Sequence, residues 1–107
     1  MENYMTYEEV LAILKLLDRD LNIFIRCGFD EDYGDHEISK SRDETITTVG
    51  EVVDYIEGRS DRDQIAKFFS WQNDEEYEES RVSSIYDISE VEYTSKKSYA
   101  RHSIILH

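Results

Sequence analysis

Residues 71–80, W-Q-N-D-E-E-Y-E-E-S, are the stretch of this chain best suited to binding chemistry. Five carboxylates lie close to one tyrosine there, and like charges so near in sequence repel one another. Two interpretations are open: a solvated connector, or a surface for a cationic partner. On the second, the Tyr77 ring stacks on a partner arginine while the carboxylates pair with its charges. We call this segment the acidic run, and it consists of Asp74, Glu75, Glu76, Tyr77, Glu78 and Glu79.

A second group of acids follows helical spacing. Glu51, Asp54 and Glu57 stand at i, i+3 and i+6 within a predicted helix, and we call them the acidic ridge. Carboxylates on adjacent helical turns stand about 5 to 6 Å apart. That spacing is comparable to the phosphates of a nucleic-acid strand, which carry about one charge per 3.4 Å. The ridge is therefore either a mimic of a charged strand or an ordinary solvated helix face.

Other site chemistries lack their motifs. A calcium loop over residues 30–35 fails because Gly34 comes one position early and Ser41 stands where a bidentate Glu is required. Transition-metal spacings, phosphate loops and nucleophile elbows are absent from the sequence. We therefore predict no enzyme activity, no metal and no cofactor. The dispersed histidines are His36, His102 and His107.

Composition predicts one folded domain over residues 1–107, since 39% of the residues are hydrophobic and 12% are aromatic. The formal net charge of −13 exceeds the magnitude of about 2 to 8 that keeps a small domain soluble. Such an excess indicates either an acidic surface under selection or halophilic adaptation. It disfavours nucleic acid and anionic membrane as direct partners and favours a basic protein surface.

The single cysteine, Cys27, forbids an internal disulfide and indicates a reducing compartment. It lies in an apolar run, where a buried structural thiol is the ordinary interpretation. The acidic N-terminus lacks the features of a signal peptide, and no apolar stretch reaches the length of about 20 residues that spans a bilayer. We therefore predict a cytoplasmic protein.

Periodicity predicts a helix at the N-terminal end of the chain. Thr6 and Glu9 form a capping box, and the apolar stripe that follows extends to Leu21, with Ile13 and Leu16 widening its buried face. Residues 21–29 then favour a strand, although helix continuation through residue 25 is open. A loop over residues 30–35 and extended segments near residue 38 and at 45–49 would complete a meander.

Two central helices are predicted next. Thr47 or Thr48 caps the first, which ends at Gly58 in a left-handed position. Ser60 caps the second, whose apolar face is formed by Ile65, Phe68 and Phe69.

The C-terminal part alternates between polar and apolar residues. It predicts short strands with a break or bulge near Ser89, then a hairpin of residues 90–94 and 99–106. The predicted fold class is α+β, with an N-terminal helix, a small antiparallel sheet, two central helices and a C-terminal β-hairpin.

In size and composition the chain resembles small phage-encoded inhibitors that mimic DNA, among them anti-restriction and anti-CRISPR proteins. The resemblance is one of class and transfers no residue roles. It implies an inhibitor that blocks the basic groove of a defence nuclease, such as a Cas or restriction enzyme. The alternatives are an immunity or antitoxin protein for a basic nuclease toxin, and a non-catalytic structural or regulatory oligomer such as a homodimer.

Overall fold

The computed structural model describes residues 3–27, 34–71, 77–87 and 103–107 of the chain. Within these ranges the protein has the predicted α+β class, with two helices and two four-stranded sheets. In chain order the elements are α1 (Tyr7–Leu14), β1 (Asn22–Cys27), β2 (Gly34–His36), β3 (Ile38–Ser39), β4 (Thr45–Ile46), α2 (Val49–Glu57), β5 (Lys67–Trp71), β6 (Tyr77–Arg81), β7 (Ile85–Asp87) and β8 (Ser103–Leu106).

The capping box predicted for α1 is confirmed. Thr6 Oγ1 accepts a hydrogen bond from the Glu9 backbone N–H at 3.2 Å, and the Glu9 carboxylate accepts one from the Thr6 N–H at 3.0 Å. The helix ends at Leu14, earlier than the apolar stripe suggests, because the chain then turns to enter β1. Ile13 and Leu16 are 39% and 86% exposed, so the prediction that they widen the buried face is wrong.

The first sheet has the strand order β2-β1-β8-β7. The strand predicted within residues 21–29 is confirmed as β1, which pairs in parallel with β8 and antiparallel with β2. All four residues of β8 are buried, as expected for a central strand covered on both faces. Of the predicted C-terminal hairpin only β8 lies in the described ranges; residues 90–94 and the position near Ser89 lie outside them.

The second sheet has the order β4-β3-β5-β6. The predicted meander is wrong, because β1 belongs to the first sheet while β3 and β4 pair in the second. The predicted loop over residues 30–35 is wrong at its end, since Gly34 and Asp35 belong to β2 and residues 30–33 lie outside the described ranges.

The second predicted central helix is also wrong, because Lys67–Trp71 forms strand β5. Phe68 and Ser70 are buried while their neighbours are not, which is the period of two of a strand. Adjacent aromatic residues at 68 and 69 fit a helical face and also the two faces of a strand. Pairing with β6 over five residues decides between these alternatives.

Helix α2 begins where the sequence predicts, and Thr48 caps it by accepting a hydrogen bond from the Glu51 backbone N–H. Its C-cap residue Gly58 has φ of −80°, so the left-handed conformation predicted there is wrong. Packing explains why a glycine lies at position 50, because a Cβ there would be only 2.9 Å from Nε of Arg19.

One cluster of buried residues joins both helices to both sheets. Among the described residues, neither helix is long and apolar enough to cross a membrane. The largest fully buried side chains of this core include Leu14, Ile23, Ile25, Ile38, Ile56, Phe68, Ile104 and Leu106.

Candidate functional site

The outward surface of the β5–β6 hairpin carries Tyr77, the aromatic residue of the acidic run. Cross-strand neighbours on this surface are Lys67 and Arg81, Phe69 and Glu79, and Trp71 and Tyr77. Side chains on alternate residues of a strand share one face, so these six lie together. We call them the hairpin face.

Three aromatic rings of the hairpin face form a contact cluster. The Tyr77 ring centroid lies 4.9 Å from that of Trp71 and 5.4 Å from that of Phe69. The Arg42 guanidinium stands over the Trp71 ring, 5.1 Å from its centroid. Tyr77 is 50% exposed, so the cluster presents apolar area to solvent and already demonstrates that it can stack a guanidinium.

The acidic run is divided by this geometry. Asp74, Glu75 and Glu76 lie outside the described residues. Tyr77 and Glu79 belong to the hairpin face, and Glu79 forms an ion pair of 3.6 Å with Arg81. These members of the run therefore face outward, but the carboxylate of Glu79 is not available as an uncompensated charge.

Glu78 lies on the opposite face of β6. It is half-buried and pairs across the strands with Ser70, which is buried. Its negative charge acts on the thiol of Cys27 on β1. The pKa of Cys27 is raised to about 11, mainly because the thiol is buried and secondly because Glu78 is near. Glu78 therefore faces the interior between the sheets instead of joining Tyr77 and Glu79.

The acidic ridge lies on α2 with its charges partly matched by α1 and the turn that follows it. Asp54 pairs with Arg19 at 2.9 Å, and Glu57 pairs with Lys15 at 3.3 Å. Glu51 accepts hydrogen bonds from the hydroxyls of Thr47 and Thr48, which lower the pKa of its carboxyl group. The three acids do share one helix, but the protein itself supplies cations to two of them.

A shallow cleft of about 290 Å³ lies beside the ridge. Glu44, Glu51 and Asp54 line it together with Lys40. Within the described ranges no three Asp, Glu, His or Cys side chains are arranged to hold a metal ion. The geometry there suits a diffuse acidic surface better than a coordination site.

A second cleft, of about 370 Å³, lies where α1 and the segment before β5 meet the hairpin face. The Arg59 guanidinium at its edge forms two hydrogen bonds of 2.8 Å to the Asp61 carboxylate and a third of 2.8 Å to the Tyr55 hydroxyl. The same group stacks over the Tyr7 ring, 4.3 Å from its centroid. Asp61 raises the pKa of Arg59, and Arg59 lowers the pKa of Asp61.

Sequence reasoning missed this second cleft. Six of its seven lining residues lie within residues 59–69, and the seventh, Tyr7, comes from the start of α1, so the cleft depends on a long-range contact. The predicted helix that begins at Ser60 gives no indication that Arg59 pairs with Asp61, two residues away. The cleft is lined by Tyr7, Arg59, Asp61, Gln64, Ile65, Lys67 and Phe69.

Comparison of the chain with protein-family models, with curated proteins and with solved structures finds no match.

Proposed function

We propose that this protein is a binding protein without catalytic activity, which docks the end of its β5–β6 hairpin on a basic surface of another protein. The target class that its charge favours is a nucleic-acid enzyme of cellular defence, a Cas or restriction nuclease. Occupation of the nuclease's basic groove by the acidic protein would exclude nucleic acid. This is the action of a phage-type DNA mimic in the cytoplasm.

The observation that carries the proposal is the contact between Trp71, which is half-buried, and Tyr77, which is 50% exposed. The two rings contact each other across the hairpin at 4.9 Å, and the acidic residues of the 72–76 connection follow directly in the sequence. Exposed aromatic residues are enriched among the residues that dominate binding energy at interfaces. Adjacent carboxylates supply the long-range attraction that such a pair lacks.

The two kinds of residue have separate roles. Asp74, Glu75 and Glu76 would steer the partner, and their contribution would weaken with salt because exposed charges are screened. Trp71 and Tyr77 would stack on partner arginines, as Trp71 stacks on Arg42 within the chain. The acidic ridge would act as a secondary patch, with a field reduced by the ion pairs of Asp54 and Glu57.

The test is a pull-down from bacterial lysate with the tagged protein, washed at low and then at high salt and followed by mass spectrometry. A nucleic-acid enzyme retained at low salt and lost at high salt is the expected result. Tyr77→Ala should reduce its recovery by about tenfold or more, the loss expected for an aromatic hot spot. The matched control is Tyr86→Ala, because Tyr86 is 38% exposed but lies on β7 in the other sheet.

Two outcomes would overturn the proposal. One is equal loss of the enzyme with the Tyr77 and Tyr86 variants. The other is full recovery after Asp74→Asn, Glu75→Gln and Glu76→Gln are combined, which would make the acidic run a connector. A retained basic toxin nuclease would keep the binding mode but assign the protein to the immunity class.

Self-association is a second candidate function, favoured by the contiguous apolar area of Phe69, Trp71 and Tyr77. A dimer that buries these rings would resist salt, because burial of apolar area does not depend on charge. Sedimentation at low and high salt distinguishes the two functions: a salt-insensitive dimer that Tyr77→Ala converts to monomer supports the oligomer.

A further inference from the structure

The cleft beside the hairpin face has a local positive charge, although the protein as a whole is strongly negative. Its charged lining residues are Arg59, Asp61 and Lys67, and the first two neutralise each other in a bidentate pair. Lys67 is exposed, and among the described residues it forms no ion pair. The cleft therefore presents one uncompensated cation within a chain of net charge −13.

The rest of the lining is suited to an apolar body. The Tyr7 ring is held in place by its hydroxyl, which donates a hydrogen bond of 3.1 Å to the Lys67 carbonyl oxygen. Ile65 is 40% exposed and Phe69 half-buried, so both offer apolar area to a ligand. The Gln64 side chain adds an amide that can donate or accept.

The Arg59 network makes this arrangement rigid. Three hydrogen bonds and the ring of Tyr7 fix the guanidinium, so the cleft does not have to order this side chain when a ligand enters. The volume of about 370 Å³ falls within the range of about 300 to 1,000 Å³ that small-molecule sites occupy.

We propose that the cleft between Tyr7, Ile65, Lys67 and Phe69 binds a small organic carboxylate with an aromatic or branched apolar body. The body lies against Ile65 and Phe69, and the carboxylate pairs with the Lys67 ammonium and accepts from Gln64. This site goes beyond the proposed function: it shares Lys67 and Phe69 with the hairpin face, but it needs neither the acidic run nor a protein partner.

Three probes with one body test the proposal: phenylacetate, phenylacetamide and 2-phenylethylamine. The long-range field of an acidic protein favours the amine, so a preference for the acid has to come from the cleft itself. We expect phenylacetate to bind in the millimolar range, the amide about tenfold more weakly, and the amine more weakly still. The measurement is the change in amide chemical shifts of the full chain on titration, with shifts expected at residues 64–69.

Lys67→Gln should weaken phenylacetate binding by about tenfold, the value expected for loss of one charge-assisted hydrogen bond. Lys40→Gln is the matched control, because Lys40 is likewise an exposed lysine at the edge of a cleft, but that cleft is lined by Glu44, Glu51 and Asp54. Both substitutions are on the surface, and unchanged melting temperatures show that each variant is folded.

Several results would overturn the inference: no shifts at millimolar phenylacetate, tighter binding of the amine than of the acid, or equal losses with the Lys67 and Lys40 variants. Trp71→Ala separates this site from the proposed function, because Trp71 belongs to the Trp71–Tyr77 pair and does not line the cleft. It should leave phenylacetate binding unchanged while reducing recovery of the protein partner, so either proposal can fail without the other.

Discussion

The sequence ranks the acidic run above the acidic ridge as a binding surface, and the fold treats the two differently, with Tyr77 and Glu79 of the run on the hairpin face. On the hairpin face, Trp71 and Tyr77 contact each other and leave Tyr77 half-exposed, so apolar area remains for a partner. On the ridge, Arg19 pairs with Asp54 and Lys15 pairs with Glu57. These ion pairs within the protein neutralise much of the negative charge of the ridge.

The difference shows that the number of acidic residues in a segment does not indicate how much uncompensated negative charge the segment has at the surface. Helix α2 packs against α1, and Lys15 and Arg19, in the segment that follows α1, lie within reach of the ridge. In a strand, by contrast, successive side chains point to opposite faces of the sheet. Glu78 is thereby directed inward while Tyr77 and Glu79 point outward.

The largest effect should come from the two faces of β5. Phe68→Ala removes a fully buried ring from the core and should lower the free energy of unfolding by about 3 to 5 kcal/mol. Phe69→Ala, on the outward face, should cost about 1 kcal/mol, since its ring is half-buried and loses mainly an edge contact with Tyr77. Urea denaturation of both variants provides the measurement. Equal losses would show that the outward aromatics stabilise the fold instead of serving a partner.

A smaller effect concerns the thiol beneath the hairpin. Burial, with Glu78 and Asp35 nearby, raises the pKa of Cys27 from 9.0 to about 11. The thiolate fraction at pH 8 should therefore be about a hundredfold lower in the folded protein than in the unfolded chain. Alkylation by iodoacetamide, followed by mass spectrometry with and without urea, measures the ratio.

The same raised pKa sets a direction for stability. An acid whose pKa is higher in the folded state holds its proton more tightly there, so stability should fall as the pH rises from about 9 towards 11. Cys27→Ala removes this dependence and serves as the control. A native thiol that reacts as fast as the unfolded one would place Cys27, and with it Glu78, outside the interior.

The sequence predicted correctly those helices and strands that are determined by residues close to one another in the chain. The Thr6 and Glu9 capping box begins α1, Thr48 begins α2, and the run of β-branched and aromatic residues after Leu21 forms β1. Each of these is decided by neighbours within a few residues, which is the range over which caps and propensities act.

Non-local pairing accounts for what the sequence did not predict. The parallel contact between β1 and β8 joins residues near 23 and 104, and no pattern in either segment specifies the other. The five-residue pairing of β5 with β6 overrides a helical pattern at Ile65, Phe68 and Phe69. The cleft beneath Arg59 forms only where Tyr7 of α1 meets residues 59–69. The sequence could therefore suggest Tyr77 as a binding residue, but not the cleft beside the hairpin face.

The smallest expected effect tests whether the ridge is internally compensated. Asp54→Asn removes the partner of Arg19, and because both side chains are more than half exposed, the free energy of unfolding should fall by less than about 1 kcal/mol. The loss should shrink further at high salt. Glu44→Gln is the control, since Glu44 lines the same cleft and forms no ion pair among the described residues. It should leave stability unchanged or raise it, because it removes a negative charge from a protein with a large excess of them.

A rise in stability with both variants would contradict the comparison. It would mean that repulsion along α2 exceeds the attraction from Arg19 and Lys15, and that the fold tolerates unfavourable charge on this face. Charge that is retained against stability is the mark of a surface kept for binding. The ridge would then rank beside the hairpin face as a candidate contact. The partner's binding surface would have to cover helix α2 as well as the hairpin.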